Sequence, residues 1–180
     1  MKLGHNGAEL DGVDRQILAL LQQNCKLPLA KIGEKVGLSA PSVIERIKRL
    51  EDRGVIRGYT AVLDAHKLGK DITAFIGVLI KHPKLTEAFE QVVEGLEDVL
   101  ECHHITGEYT LLLKVKTANT SSLEALISRL RSIEGVERTE TMIVLSTHIE
   151  RLQLAIEHNA VVTSRKPRRG DEPLRLLKRA

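Results

Sequence analysis

The sequence predicts an α+β chain with an N-terminal three-helix unit, a connecting strand and a C-terminal βαββαβ unit. Three observations lead there. Apolar residues in the first fifty positions recur at helical spacing between recognisable caps, a βαβ pattern repeats itself at an offset of 37 residues, and charge changes sign along the chain. Residues 1–60 carry net +3, residues 61–150 net −5 and residues 151–180 net +5, which sum to the formal +3 of the 180-residue chain. A polyanion attracted to the ends is repelled by the middle, so the units are expected to have different partners.

The first helix follows from Val13, Ile17, Leu20 and Leu21, spaced i, i+4, i+7, i+8, with Asp11 as N-cap and Asp14 in the first turn. Asn24 and the Leu27-Pro28 step end it, because the residue before proline is pushed out of the helical region. Pro28 opens a second helix carrying Leu29, Ile32 and Val36 on one face, and Gly37 closes it. Ser39 caps a third helix that runs to about Arg53 and is expected to bury Val43, Ile44, Ile47 and Leu50. Two short helices joined by Gly37-Leu38-Ser39 have helix-turn-helix spacing.

At about 100° per residue, Ser42, Glu45, Arg46, Arg49 and Arg53 share one polar arc of the third helix. A mixed-sign helix face is by itself an ordinary solvated surface. Joined to the capped short helix and glycine turn, it points to duplex DNA, with early residues at base edges and later arginines at phosphates. Ser39, Ser42, Glu45, Arg46, Arg49, Arg53 and, just past the helix, Arg57 are the candidate DNA-binding residues. Glu45 is suited to accept from cytosine N4. The aromatics are Tyr59, Phe75, Phe89 and Tyr109, too few for the stacking surfaces used on single strands.

After Gly54 the run from Val55 to Leu63 is β-branched and reads as the connecting strand, with a linker to residue 71. Residues 72–81 form a strand with apolar side chains on both faces. Leu85, Phe89, Val92, Val93 and Leu96 mark a helix, and residues 98–105 and 109–116 form two strands around a turn. Asn119 or Thr120 caps a helix bearing Leu123, Leu126, Ile127, Leu130 and Ile133, and residues 136–147 are the last strand. In the repeat, Ala74, Ile76, Val78, Phe89, Val93, Leu96 and Val99 map onto Leu111, Leu113, Val115, Leu126, Leu130, Ile133 and Val136. Two such halves give a ferredoxin-like split βαβ sheet with both helices on one face. Its other face, apolar in part, calls for a two-fold partner. The expected division is a tail at 1–9, the helical domain at 10–58, the connection at 59–71, the βαββαβ domain at 72–150 and a basic extension at 151–180.

Leu10-Asp11 with Asp14 and Ile17-Leu18, Gly37-Leu38-Ser39, and the run from Arg46 to Glu51 resemble the Lrp/AsnC (leucine-responsive and asparagine-synthesis, feast/famine) transcription regulators. The run from Gly54 to Tyr59, Leu68-Gly69, Thr106-Gly107-Glu108-Tyr109 and Gly135-Val136 with Thr139 and Thr141 continue the resemblance, which spans about residues 10–150. It implies a helix-turn-helix domain, a domain that dimerises and binds amino-acid effectors, and assembly into tetramers or octamers. It also implies an effector pocket between subunits around Ile105, Thr106, Gly107, Glu108, Tyr109, Thr139 and Thr141. Gly107 permits a tight turn whose N–H groups can meet a carboxylate, and Glu108 can meet an ammonium; a plain hairpin turn is the alternative for that loop. The family commonly has an acidic residue where Thr110 stands and arginine where Lys26 stands.

Cys102 and His104 share one strand face without an evident third ligand, so ordinary strand residues are expected there and no metal. Cys25 reads as a small apolar filler near a helix end. Residues 148–157 suit a short helix or a continued strand equally. The tail beyond residue 159, with Arg165, Lys166, Arg168 and Arg169, is expected to be disordered and to add phosphate contacts. No P-loop, dinucleotide fingerprint, nucleophile elbow, signal peptide or membrane span is evident. The resulting expectation is a cytoplasmic, nucleoid-associated, sequence-specific regulator of double-stranded DNA without cofactor or enzymatic activity. A DNA-bending chromosome organiser and an enzyme on the ferredoxin-like fold are the competing classes.

Overall fold

The computed structural model describes residues 10–156. Within them lie two compact units, residues 10–60 together with 151–156, and residues 61–150. The expectations for the N-terminal tail and for the tail beyond residue 156 lie outside the described residues.

In the first unit, α1 spans Gly12–Gln23, α2 Leu29–Val36 and α3 Ala40–Asp52. Each boundary has a local cause. Asp11 accepts from the backbone N–H of Asp14 at 2.7 Å, and Asp14 reaches back to the Asp11 N–H, closing a reciprocal cap. Pro28 stands one position before the expected one, as the extended N-cap of α2. Gly37 ends that helix in the left-handed region, at φ 72°, where other residues are strained. Ser39 then caps α3 by accepting from the Ser42 N–H, and its hydroxyl meets the Ser42 hydroxyl at 2.9 Å. Ile17, Ile32 and Val43, all fully buried, hold the three helices together. Ile44 departs from expectation: it is 50% exposed, on the outer side of α3.

No strand forms between residues 53 and 71. The expected connecting strand is corrected to an irregular stretch followed by a 3₁₀ turn at His66–Leu68. β-branched composition makes a strand only where a neighbouring strand completes the ladder, and the chain's own sheet does not include this segment. Val62 and Leu63 accordingly remain largely exposed.

The second unit contains β1 (Ile72–Ile80), α4 (Thr86–Glu94), β2 (Val99–His104), β3 (Leu111–Thr117), α5 (Thr120–Arg131) and β4 (Val136–Ile143). The sheet order is β2-β3-β1-β4, with every pair antiparallel. The repeat therefore maps the central strands β1 and β3 onto each other, the two helices onto each other, and the edge strands β2 and β4 onto each other. Register makes the symmetry explicit. Ile76 pairs with Leu113, its own image in the repeat, while Ala74 pairs with Val115 and Val78 with Leu111. A pseudo-two-fold thus passes between Ile76 and Leu113. These positions, with Phe89, Val93, Leu123, Leu126 and Leu130 of the helices, form one buried core on the helix side of the sheet. Fully burying such a side chain stabilises by about 1.5–3 kcal/mol.

The opposite side of the sheet carries Phe75, Leu79, Leu112 and Met142, none of them fully buried. Past β4 the chain turns back on β1 through Val144 N–H to Thr73 O, and by Glu150 it has reached Lys114 of β3 at 3.3 Å. Residues 144–156 are neither helix nor strand, so neither alternative for 148–157 applies to the part that is described. Instead, Leu154 is held on α1 by the Gln22 side chain, which accepts from its N–H at 2.8 Å and donates to its carbonyl at 3.1 Å.

Candidate functional site

α3 presents its side chains in a graded way. Val43 and Leu50 face inward; Ser42, Arg46 and Ile47 are half-buried; Pro41, Ile44, Glu45, Lys48, Arg49, Asp52 and Arg53 are exposed. Ser42, Glu45, Arg46 and Arg49 come together, with Lys48, along a shallow concavity of about 640 Å³. Arg53 is the exposed C-cap of α3, and Arg57 stands apart on the following segment, in a groove against α1. Ser39 is occupied as the N-cap.

Two of the expected phosphate-binding arginines are engaged inside the unit. Arg46 Nη1 donates to Asp11 Oδ2 at 2.6 Å and to Asp14 Oδ1 at 2.7 Å, and Arg49 Nη2 donates to Asp14 Oδ1 at 3.2 Å. The Asp14 side chain is 2% exposed, so these two guanidinium groups meet it away from water. Hydrogen bonding to Asp11, then to Asp14, raises the Arg46 guanidinium above its usual value. The Asp11 carboxyl is lowered, first by the Asp14 backbone N–H and then by Arg46. The two carboxylates, legible in the sequence as caps, also anchor α3 against the start of α1. Lys48 is an outward cation that helical spacing alone did not single out. Pro41, Glu45, Lys48 and Asp52 form an exposed stripe that meets the arginine arc at Glu45, and burial shows that Lys48 points outward as Arg49 and Arg53 do.

The residues around the loop after β2 divide between the two sheet faces. Tyr109 lies over Gly77 on the open face: a Cβ on Gly77 would stand 2.8 Å from the ring. Its hydroxyl donates to Glu140, Arg138 stacks over its ring at 5.1 Å, and Arg138 also donates to Glu108. The bond to Glu140 raises the Tyr109 phenol. Thr139 and Thr141 pair in register with Val78 and Ile76, which places them on the helix face. Thr139 is nearly buried and accepts from Arg131 Nε at 2.8 Å, beside a cavity of about 310 Å³. Within one chain the structure therefore brings Glu108 and Tyr109 together with Arg138 and Glu140, and does not bring them to the threonines. Ile105, Thr106 and Gly107 are exposed in the turn, with Gly107 at φ 118°. Thr110 serves the scaffold: its N–H donates to Val78 O, and its hydroxyl accepts from Ile80 N–H where the β1–β4 register shifts. Strand alternation flags Arg138 and Glu140 as the neighbours of Thr139 that face the other way.

Cys102 and His104 do share a face, His104 pairing with Glu90 at 2.5 Å. Among the described residues no group of three or more His, Cys, Asp or Glu gathers to hold a metal ion, and no helix is long and apolar enough to cross a membrane. Cys25 is exposed rather than packed as a filler, because α1 has already ended at Asn24.

Two family models match. The AsnC-type helix-turn-helix domain covers residues 10–51 and the Lrp/AsnC ligand binding domain covers residues 73–154. The chain is 39% identical over 148 residues to the HTH-type transcriptional regulator FL11 of Pyrococcus abyssi, spanning 82% of this chain and 97% of that one. It is 34% identical over 142 residues to the leucine-responsive regulatory protein of Escherichia coli, spanning 77% and 87%. Among solved structures, it superposes on AsnC of E. coli with a TM-score of 0.75 at 30% identity, over 79% of this chain and 96% of that one. It superposes on a transcriptional regulator of Neisseria meningitidis in complex with L-methionine with a TM-score of 0.79 at 32% identity, over 83% and 98%. A feast or famine regulatory protein of M. tuberculosis, also complexed with L-methionine, gives 0.76 at 31% identity, over 82% and 99%.

Proposed function

The chain belongs to the Lrp/AsnC family of DNA-binding transcription regulators, and from that premise we propose that it reads operator DNA through α3 as an oligomer that responds to an amino acid. The observation that carries the DNA reading is the presentation of α3. The Gly37 turn and the Ser39 cap start it cleanly, and the Asp11–Asp14 carboxylates hold its arginines from behind. Glu45 and Lys48 then face a major groove, Arg49 and Arg53 flank it toward phosphates, and Arg57 adds a contact from the next segment. Ser42 and Arg46 support the helix from its half-buried side, and Ser39 does so from its start.

The effector reading rests on L-methionine in two of the structural neighbours and on the polar loop after β2. Because the two halves of the residue set lie on opposite sheet faces in one chain, the pocket is completed by a second subunit. Glu108, Tyr109 and Arg138 then come from one protomer, and Thr139 and Thr141 from another. The open sheet face, with Phe75, Leu79, Leu112 and Met142, supports a two-fold dimer, on which tetramers or octamers build. The proposed role involves no catalytic step and no cofactor, and places the protein in the cytoplasm with the nucleoid.

Titration of the purified chain against the twenty amino acids, followed by thermal melting, tests the effector assignment. A true effector at a hundred times its dissociation constant stabilises by about 2.7 kcal/mol, a clear rise in Tm. No shift with any of the twenty overturns that assignment. Affinity for a selected operator divided by affinity for random duplex tests the regulator reading, since a ratio near one belongs to a chromosome organiser.

A further inference from the structure

α3 carries one large apolar side chain on its outward side. Pro41, Ile44, Glu45 and Lys48 follow i, i+3, i+4, i+7 and form one exposed stripe over the first half of the helix. Ile44 keeps 50% of its surface open, whereas Val43 and Leu50 are sealed and Ile47 is partly covered. Nothing in the unit's core requires isoleucine there, because the core is closed by Ile17, Ile32 and Val43. The ion pairs from Arg46 and Arg49 to Asp14 set the rotation of α3 about its axis, so the stripe keeps one direction.

In a major groove the apolar feature on a base edge is the C5-methyl group of thymine. We propose that Ile44 is a specificity-determining residue that packs on a thymine methyl, beside the polar contacts of Glu45 and Lys48. The proposal rests on the reading that α3 enters the major groove. It adds a discriminating contact that the polar face omits: hydrogen-bond donors and acceptors alone leave the methyl unread, and an isoleucine at the early, groove-facing positions of the helix reads it.

The test uses the full chain and chemically altered DNA. A binding sequence is selected from a random duplex pool, and each thymine in turn is replaced by deoxyuracil, which lacks only the methyl. The wild type is expected to lose about four-fold in affinity at one thymine position per half-site, the ratio that one buried methyl corresponds to. Ile44→Ala is expected to bind more weakly, to melt like the wild type because the residue it replaces is half exposed, and to be indifferent to uracil at that position. An equal uracil effect in both proteins, or none in the wild type, overturns the proposal. Ile44→Val, read in the same series, keeps an apolar contact and retains part of the discrimination; if it behaves as Ile44→Ala while folding normally, the contact is not a packing contact. Failure to select any sequence overturns the groove reading itself. Selection that Glu45→Ala alters, with no thymine methyl mattering, leaves the groove reading standing and removes Ile44 from it.

Discussion

Replacing Arg46 by alanine separates an arginine that positions the reading helix from one that touches DNA. The substitution removes two charge-assisted hydrogen bonds, to Asp11 at 2.6 Å and to Asp14 at 2.7 Å. Such bonds contribute about 1.5–3 kcal/mol each when shielded. The Asp11 side chain is 50% exposed, so its bond is discounted by water. The Asp14 side chain is 2% exposed and, among the described residues, keeps only Arg49 at 3.2 Å as a cationic partner, so most of the cost falls there. The expected loss is about 2–3 kcal/mol, which for a unit of this size lowers its melting temperature on the order of 10 °C. Thermal melting with amide exchange of α1 and α3 reads this directly, and Arg46→Lys restores it only in part because lysine lacks the planar fork. DNA binding by Arg46→Ala, measured below its melting point, is expected to weaken with an unchanged salt slope. Arg53→Ala, by contrast, flattens the slope by about 0.9 for each phosphate that the arginine no longer neutralises. Arg46→Ala that melts like the wild type and flattens the slope refutes the positioning role.

Gly77→Ala drives a Cβ to 2.8 Å from the Tyr109 ring, so that ring must move off the open face; the expected destabilisation is about 1–3 kcal/mol by denaturant unfolding, with a changed near-ultraviolet signal from tyrosine. Acid should loosen the first unit. The Asp11 carboxyl is held below its unfolded value, so its contribution is fully present above the ordinary carboxylate range and is lost as pH falls through the lowered value; Asp11→Asn should remove that part of the acid dependence of α1 unfolding. Deleting residues 160–180, which carry seven basic side chains, should flatten the salt slope of DNA binding if they meet phosphates, and an unchanged slope discards that role.

Local chemistry explains what could be read without the fold. Asp11, Gly37 and Ser39 act on backbone groups within four residues, so their caps stand where the sequence places them. The 37-residue repeat is legible because each half must bury the same inward positions, and the structure adds that its images Ile76 and Leu113 pair across β1 and β3. Ile44 and the segment from Val55 to Leu63 show where such inference stops. Helical spacing admits isoleucine to the apolar arc, but the packing of α1 and α2 leaves it outside; β-branched composition proposes a strand, but the sheet formed by the described residues does not include that segment.

By itself the sequence determined the helix caps, the order of the helices and of the four sheet strands, the division of charge along the chain and most of the core, because caps, periodicity and solvation act locally or on average. Only the tertiary structure decided that Arg46 and Arg49 are engaged by Asp14, that Lys48 and Ile44 look outward, and that Tyr109 and Thr139 lie on opposite faces of one sheet. Those outcomes depend on which groups meet across thirty or more residues, and a charge or a methyl group acquires its role from the partner that folding brings within reach.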